Sequence, residues 1–304
     1  MVRLGLGRSS RGRSCPRPTS PVYGHEVDTL AVRNGDVNLH VLLDGDGPTI
    51  LLLHGWPDTS ALWDEVRPLL VDAGFRVAVP DLRGCGRSDK PSDVEDYRMH
   101  HLVGDVVSIV GALGDGKVIL AGHDWGAALA WTVATFRADL VERLVVLSVG
   151  HPSAFYGAGI SQQIKSWYML LFQFEGVGEA FLRKNDHEAI RRWTGHPRPD
   201  AVIEELERDG QMRAHLLWYR ANVAPDAFVR PAPVLPLVEM PVLGIWSSGD
   251  FALTEHQMIT SENYCANEFR YVRLEGAGHW IPLEAVARLS REIVEFCSSR
   301  DILP

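Results

Sequence analysis

Short apolar runs alternate with longer amphipathic segments over most of the chain. The runs are rich in Val, Ile and Leu, which is typical of strands buried on both faces of a parallel sheet. They cover residues 49–53, 75–79, 117–121, 144–149, 242–246 and 269–274. Four intervening segments repeat apolar residues at helical spacing and are predicted as crossover helices: 61–71, 101–113, 125–137 and 284–297. The alternation predicts an α/β protein with a mostly parallel, doubly wound sheet.

The alternation of apolar runs and amphipathic segments stops between residues 150 and 232. Trp, Tyr, Phe and Arg are abundant there, strand-like runs disappear and helical patterns dominate. A stretch with three prolines in seven residues, 230–236, then leads back to the strand pattern. We therefore predict a helical lid at 151–232, inserted into a core that comprises residues 23–150 and 233–304.

Composition and charge narrow the class of protein. Of the 304 residues, 46% are hydrophobic and 23% are charged, which fits a globular protein with a sizeable core. No stretch approaches the roughly 18 apolar residues of a membrane helix, so we predict a soluble protein without an integral membrane segment. The first 22 residues contain five arginines and no acidic residue, so all 39 acidic residues lie in the remainder. A remainder this acidic argues against nucleic acid as a partner.

The basic stretch 1–22 is also rich in Ser, Pro and Gly, and we predict that it is a disordered tail. A transit-like role or an anionic partner for this tail stays open. The four cysteines are far apart in sequence and form no CxxC pair, which predicts free thiols and a cytoplasmic protein; they are Cys15, Cys85, Cys265 and Cys297. Twelve histidines form no HxH or HExxH motif, so we predict no metal. The oligomeric state is open, with a homodimer as the candidate assembly.

The segment Gly122-His-Asp-Trp-Gly126 places Asp124 between two glycines, where a predicted strand meets a predicted helix. This is the spacing of a nucleophile elbow, G-x-S-x-G, with aspartate at the serine position. Glycine permits a tight turn and close backbone approach, and the helix N-terminus directs free N–H groups towards a negative charge. Asp124 is therefore the candidate nucleophile. The alternative is that it only caps the helix beginning at Trp125.

Two further candidates follow later strands. Asp250 lies in a turn after strand 242–246, and His279 lies in a glycine-flanked loop after strand 269–274. In one group of catalytic triads the residues occur along the chain in the order nucleophile, acid, histidine, which is the order of Asp124, Asp250 and His279. Because the carboxyl ends of parallel strands meet at one edge of a sheet, we expect the three side chains to converge. The alternatives are turn capping by Asp250 and a structural role for His279.

The loop His54-Gly-Trp-Pro57 follows the first long buried strand. A loop in this position supplies a backbone N–H to an oxyanion, so the N–H groups of Trp56 and Trp125 are the candidate donors. We assign His54 and Pro57 to the same substrate-binding loop. A simple turn is the alternative, and the Trp56–Pro57 peptide bond can adopt either isomer.

Five segments together resemble the motifs of the epoxide hydrolases within the α/β-hydrolase superfamily, over residues 27–297. They are His54-Gly-Trp-Pro57, Asp81-Leu-Arg-Gly84-Cys-Gly-Arg-Ser88, Gly122-His-Asp-Trp-Gly126, Gly249-Asp250 and Gly278-His279. The resemblance implies an α/β-hydrolase fold with an inserted helical lid (cap) domain, no cofactor, and a small hydrophobic epoxide as substrate. Haloalkane dehalogenases share much of this pattern, including an aspartate followed by tryptophan, so the core motifs leave both families open.

The lid distinguishes the two families. In epoxide hydrolases two lid tyrosines hold the epoxide oxygen, and segments 167–176 and 216–222 resemble those that carry them, which makes Tyr168 and Tyr219 the candidates. An alkoxide that resembles hydroxide, with a conjugate acid of pKa about 15.7, leaves poorly unless a phenol of pKa about 10 protonates it. A halide leaves without an acid.

A halide site requires N–H donors instead, such as Trp125 together with an asparagine at position 56. This chain has tryptophan at position 56, but three lid tryptophans keep the dehalogenase alternative open: Trp167, Trp193 and Trp218.

The resemblance implies a mechanism of two half-reactions. Asp124 opens the epoxide while Tyr168 and Tyr219 protonate its oxygen; His279, oriented by Asp250, then activates water to hydrolyse the ester. The product is a vicinal diol. A non-enzymatic ligand receptor on the same fold is the remaining alternative, and the intact set of nucleophile, acid and base argues against it.

Overall fold

The computed structural model describes residues 27–208 and 210–298. The predicted disordered tail and Cys15 lie outside these ranges, and the other three cysteines are unpaired. None of the described helices combines the length and the hydropathy that a bilayer crossing requires.

One sheet of eight strands organises the described chain. The strand order is β1-β2-β4-β3-β5-β6-β7-β8; β2 runs antiparallel to β1 and β4, and all other neighbours are parallel. The strands are β1 Asp28–Asn34, β2 Val37–Asp44, β3 Thr49–Leu53, β4 Arg76–Pro80, β5 Val118–His123, β6 Val141–Leu147, β7 Val242–Gly249 and β8 Phe269–Gly278. The predicted α/β class with a mostly parallel sheet is confirmed.

Helices connect the strands and cover both faces of the sheet. Those of the sheet region are α1 Val66–Asp72, α2 Met99–Leu113, α3 Trp125–Phe136, α10 Glu255–Ile259, α11 Ile281–Glu284 and α12 Val286–Ser298. Between β6 and β7 the described chain contains α4 Pro152–Gly157, α5 Ile160–Lys165, α6 Trp167–Leu171, α7 Val177–Glu188, α8 Pro199–Leu206 and α9 Gln211–Asn222. A π-helical turn, Ala189–Trp193, follows α7. This helical insertion lies where the sequence predicts a lid.

The central strands are buried on both faces. Leu51 and Leu53 of β3 belong to one core cluster, with α2 and α3, whereas Ile50 and Leu52 belong to another, with α1 and α12. Successive side chains of a strand point to opposite faces, which is why a continuous apolar run is needed here. A third cluster, rich in aromatic side chains, joins Trp56 to the inserted helices.

The strand β3 begins and ends at its predicted residues, and the other predicted strands are shifted or extended by one to four residues at an end. The β1–β2 hairpin is absent from the sequence prediction. Its alternating pattern of exposed and buried residues and its two-residue Gly35-Asp36 turn, where Gly35 has a φ of 60°, are the signals that identify such a hairpin.

Candidate active site

Asp124 occupies the single residue between β5 and α3, with a φ of 52° and a ψ of −121°. A positive φ is unfavourable for a residue with a Cβ, and strained residues of this kind occur at functional sites. The Asp124 side chain forms no capping hydrogen bond to α3. The turn therefore presents the carboxylate at the edge of the sheet instead of using it to cap the start of the helix.

Glycines around Asp124 permit the close backbone contacts that this turn requires. A Cβ on Gly122 would lie 2.2 Å from the carbonyl oxygen of Gly126, and a Cβ on Gly126 would lie 2.3 Å from that of Leu53. A Cβ on Gly55 would lie 2.4 Å from the Cβ of Asp124 itself. Any side chain at these three positions displaces the backbone that carries the carboxylate.

The two oxygens of the Asp124 carboxylate have different surroundings. Oδ1 accepts a hydrogen bond of 2.8 Å from the backbone N–H of Trp56, and the backbone N–H of Trp125 also favours the charged form of the carboxylate. Oδ2 lies 3.8 Å from Nε2 of His279. Burial raises the pKa of Asp124 to about 6, although the charge of His279 and the two N–H groups act in the opposite direction.

His279 and Asp250 directly follow the last residues of β8 and β7, just as Asp124 directly follows β5. Nδ1 of His279 lies 2.9 Å from Oδ2 of Asp250. All three side chains are buried, with relative exposures of 3%, 4% and 7% for His279, Asp250 and Asp124. The carboxyl ends of three parallel strands thus bring together the three residues that the sequence singles out.

The electrostatics of the pair favour a charged Asp250 and a basic His279. Burial by itself raises the pKa of Asp250, but His279 and the N–H groups of Leu253 and Ala252 outweigh it, and the net pKa is lowered. Burial likewise lowers the pKa of His279, but Asp250, with smaller effects from Asp124 and Asp58, outweighs it and raises the net pKa. The imidazole therefore holds a proton more readily than an ordinary histidine does.

Tyr168 on α6 and Tyr219 on α9 are both buried and lie close together, with ring centroids 5.9 Å apart. The ring of Tyr219 also packs edge-on against Trp125, with centroids 5.1 Å apart. Burial raises the pKa of both phenols well above the ordinary value, and the nearby Asp124 carboxylate adds to this effect. Both hydroxyls therefore stay protonated beside the carboxylate.

A cavity of about 270 Å³ lies above Asp124. Tyr168 and Trp125 line it together with mainly apolar side chains, whereas Tyr219 lies behind Trp125, at a ring distance of 5.1 Å. A carboxylate and a phenol therefore face the same apolar space. This arrangement suits a neutral ligand with one polar centre.

The remaining predicted site residues take other positions. Nε2 of His54 accepts a hydrogen bond of 3.0 Å from the N–H of Leu82, and burial lowers the pKa of this histidine. The Trp56–Pro57 peptide bond is cis, and Pro57 lines a separate pocket that also contains Asp58. Neither His54 nor Pro57 lines the cavity at Asp124.

The three lid tryptophans also differ in environment. The indole N–H of Trp218 donates to the carbonyl of Arg83, so it is already engaged. Trp167 is 44% exposed, and the ring of Trp193 packs against Tyr168 with centroids 5.0 Å apart. Trp167 also adjoins Tyr168, with ring centroids 6.4 Å apart, so two of the three tryptophans pack against a predicted site residue.

Sequence reasoning misses Gln162 and Lys165 of α5, which contact the loop that carries Asp250. The Gln162 side chain bonds to the carbonyl of Ala252 at 2.9 Å and to the N–H of Thr254 at 2.8 Å. Nζ of Lys165 donates to the carbonyl of Asp250 at 2.6 Å. Polar residues on a short amphipathic helix give no sequence signal that separates such contacts from solvent exposure.

Comparison with known proteins agrees with this geometry. Residues 48–286 match a family model described as alpha/beta hydrolase fold. The AB hydrolase superfamily protein YfhM of Bacillus subtilis is 32% identical, covering 88% of this chain and 97% of that protein. Epoxide hydrolase 3 of Xenopus tropicalis is 31% identical, and the match covers 91% of this chain and 79% of that protein. The crystal structure of a Bacillus megaterium epoxide hydrolase with an inhibitor has a TM-score of 0.80 at 26% identity. That match covers 89% of this chain and 100% of that chain.

Proposed function

This chain belongs to the epoxide hydrolases of the α/β-hydrolase superfamily, and from that premise we propose that it converts an organic epoxide and water to a vicinal diol through an ester on Asp124. The observation that carries the proposal is the environment of one carboxylate. Asp124 has one oxygen held by backbone N–H groups, a histidine at 3.8 Å from the other, and a buried phenol in the same cavity.

In the first half-reaction Oδ2 of Asp124 attacks a ring carbon of the epoxide. Oδ2 is the attacking atom because Oδ1 is engaged with the N–H of Trp56. A bond forms between Oδ2 and carbon while the ring C–O bond breaks, and the released oxygen takes a proton from the tyrosine pair. The raised pKa of Tyr168 and Tyr219 keeps that proton in place until the alkoxide develops.

In the second half-reaction His279 removes a proton from water, which attacks the carbonyl carbon of the Asp124 ester. Asp250 orients the imidazole through Nδ1 and stabilises its charge. The developing oxyanion is the former Oδ1, which already accepts the N–H of Trp56. The bond between the acyl carbon and Oδ2 then breaks, and the departing diol oxygen takes the proton held by His279. The second proton of the attacking water remains on the regenerated Asp124 carboxyl and is transferred from there to the tyrosinate, which restores both groups.

The helices between β6 and β7 form the proposed lid, residues 151–232, over a core of 23–150 and 233–304. They support this role because α6 and α9 carry the two tyrosines and no strand occurs between β6 and β7 in the described chain. The lid contributes the acid and the core contributes the nucleophile and the base. A substrate bound between them is shielded from water on the lid side.

The test compares the parent with His279→Gln on an epoxide and, separately, on a bromoalkane. We expect the parent to form diol, and the variant to accumulate a protein adduct whose mass increase equals that of the whole epoxide. Asp124→Asn combined with His279→Gln is the matched control and should stay unmodified. Turnover of the bromoalkane without any turnover of the epoxide would replace this proposal with a dehalogenase.

A further inference from the structure

The cavity at Asp124 follows one face of α3. Four residues of this helix line it at intervals of three or four positions: Trp125, Ala128, Thr132 and Phe136. Residues with that spacing lie above one another on a helix, and at 1.5 Å per residue they span about 16 Å. The cavity is therefore an elongated channel whose axis follows α3 from its first residue to its last.

The two ends of this channel differ. At the outer end Phe136 is 56% exposed, and Pro233 and Leu235 from the stretch before β7 form the facing wall, so the channel reaches the surface there. At the inner end the ring of Tyr168 packs against Phe172 and Trp193, at centroid distances of 5.5 and 5.0 Å. Neither of these aromatic residues lines the channel. The space extends from Asp124 in one direction only.

The channel wall offers no partner for a second charge. Among the described residues that line it, Asp124 alone is charged. Two of the polar side chains in the wall are already engaged, since the Thr132 hydroxyl donates to the carbonyl of Ala128 and the Asn222 amide donates to the carbonyl of Tyr97, and the remaining ones, Tyr156 and Tyr168, are uncharged phenols. A charged tail would lose its hydration without compensation, whereas an apolar tail gains from burial.

We propose that the substrate is a terminal epoxide with a single unbranched, uncharged apolar tail, which lies along α3 while the ring meets Asp124 and Tyr168. This inference rests on the proposed function and narrows it to a substrate class. An internal epoxide with two long tails does not fit, because its second tail meets the aromatic side chains behind Tyr168. Thr132, halfway along the channel, is the specificity-determining residue for tail length.

The first experiment measures kcat/KM on the parent for terminal epoxides of butane, octane and dodecane. We expect an increase of about fourfold for each methylene that enters the channel, followed by a plateau when the channel is full. The symmetric internal epoxide of decane and a terminal epoxide with a carboxylate at its far end should both react far more slowly than the octane epoxide. Equal kcat/KM across the series, or preference for the internal epoxide, overturns the inference.

The second experiment compares Thr132→Phe with Thr135→Phe. Each threonine donates its hydroxyl to the carbonyl four residues earlier on α3, but Thr135 does not line the channel. We expect Thr132→Phe to lower the ratio of kcat/KM for dodecane and butane epoxides by about tenfold or more, and Thr135→Phe to keep the parental ratio. An unchanged ratio in Thr132→Phe contradicts the proposed path of the tail.

Ala128→Leu provides a second obstruction, nearer to Asp124, if Thr132→Phe does not fold, and it should lower the same ratio. The outcomes separate the two proposals. If the parent hydrolyses butane epoxide but shows no dependence on tail length, only the channel inference fails. If the parent hydrolyses no epoxide of the series, the proposed function fails and this inference fails with it.

Discussion

Asp124 attacks only as a carboxylate, so its ionised fraction limits ring opening, whereas ester hydrolysis requires a neutral His279. The pKa of Asp124 is about 6, so we predict that the ring-opening rate falls about tenfold for each pH unit below that value. The pKa of His279 is raised above its ordinary value. As the pH is lowered, the rate of ester hydrolysis should therefore begin to fall at a higher pH than the rate of ring opening. Single-turnover kinetics between acid and neutral pH measure the rates of both steps. If both rates fall over the same pH range, the assignment of Asp124 as nucleophile and His279 as base is contradicted.

The rings of Tyr168 and Tyr219 lie 5.9 Å apart, and the Asp124 carboxylate contributes to the raised pKa of both phenols, so we expect either phenol to hold the alkoxide when the other is removed. We predict that the double Phe variant loses about 10²–10⁴ in the rate of ring opening and that each single variant loses less. Adduct formation, followed by mass spectrometry in a His279→Gln background, reports this step alone.

Tyr156→Phe is the matched control for the tyrosine pair. Tyr156 lines the same channel, and burial raises its pKa, but the Asp124 charge has no part in that shift. This variant should therefore form adduct at nearly the parental rate. Ring opening at the parental rate in the double variant would remove the tyrosines from the mechanism.

At the scale of elements, α5 connects the helical insertion between β6 and β7 to the loop that holds Asp250. The N–H groups of Ala252 and Leu253 donate to Oδ1 of Asp250, both at 2.9 Å, and the Gln162 side chain fixes the loop through Ala252 and Thr254. Gln162 is 2% exposed, so water does not replace these bonds readily. The orientation of Asp250, and with it the pKa of His279, therefore depends on a lid residue.

We predict that Gln162→Leu slows ester hydrolysis more than ring opening and moves the acid limb of hydrolysis to lower pH. Loss of the Asp250 interaction removes the largest effect that raises the pKa of His279, so the imidazole becomes neutral at lower pH. The imidazole is then also less firmly oriented towards the ester, which slows hydrolysis. Gln162→Glu keeps the acceptor oxygens and should retain part of the rate. Single-turnover pH profiles of the two steps measure the effect.

The neighbouring Gln163 gives a matched control on the same helix. Its amide donates to the carbonyl of Phe228, away from the Asp250 loop. Gln163→Leu should keep the parental pH profile for hydrolysis. If Gln162→Leu and Gln163→Leu change both steps equally, Gln162 has only a general structural role.

The elements differ in how far the sequence identifies them. Central strands such as β3 are buried at every position and apolar at all but the first, because both faces are covered, and this pattern needs no tertiary information. Asp124, Asp250 and His279 are identifiable because each follows a predicted strand within a few residues and has a glycine one or two positions away. Gln162 and Thr132 are not, since only the packing of α5 on the Asp250 loop and of α3 on the lid separates them from ordinary helical surface residues.

Across the whole molecule, a buried ion pair joins elements that are distant in sequence. Nε and Nη2 of Arg83, which follows β4, donate to the two carboxylate oxygens of Asp105 on α2, at 2.8 and 2.6 Å. Asn34, at the end of β1, donates to the same carboxylate at 2.7 Å. The carbonyl of Arg83 accepts the indole N–H of Trp218 on α9, which extends the network into the helical insertion between β6 and β7.

Both charges of this pair are 3% exposed, so neither is stabilised by bulk water. We predict that Arg83→Met lowers the free energy of unfolding by about 3–5 kcal/mol, because it leaves the Asp105 carboxylate buried without its partner. The double variant Arg83→Met with Asp105→Leu should be more stable than Arg83→Met alone, since no buried charge remains. Denaturant unfolding of the parent and the variants measures both differences.

The exposed pair of Arg98 and Glu95 provides the control for this prediction. Its side chains are 50% and 59% exposed, so water solvates either charge when the other is removed, and Arg98→Met should leave the unfolding midpoint nearly unchanged. Whether the double variant is more or less stable than Arg83→Met decides between two origins of the Arg83 effect. If the double variant is less stable than Arg83→Met, the hydrogen bond from Asn34 to Asp105 stabilises the fold more than the unpaired buried carboxylate destabilises it, and the desolvation argument fails.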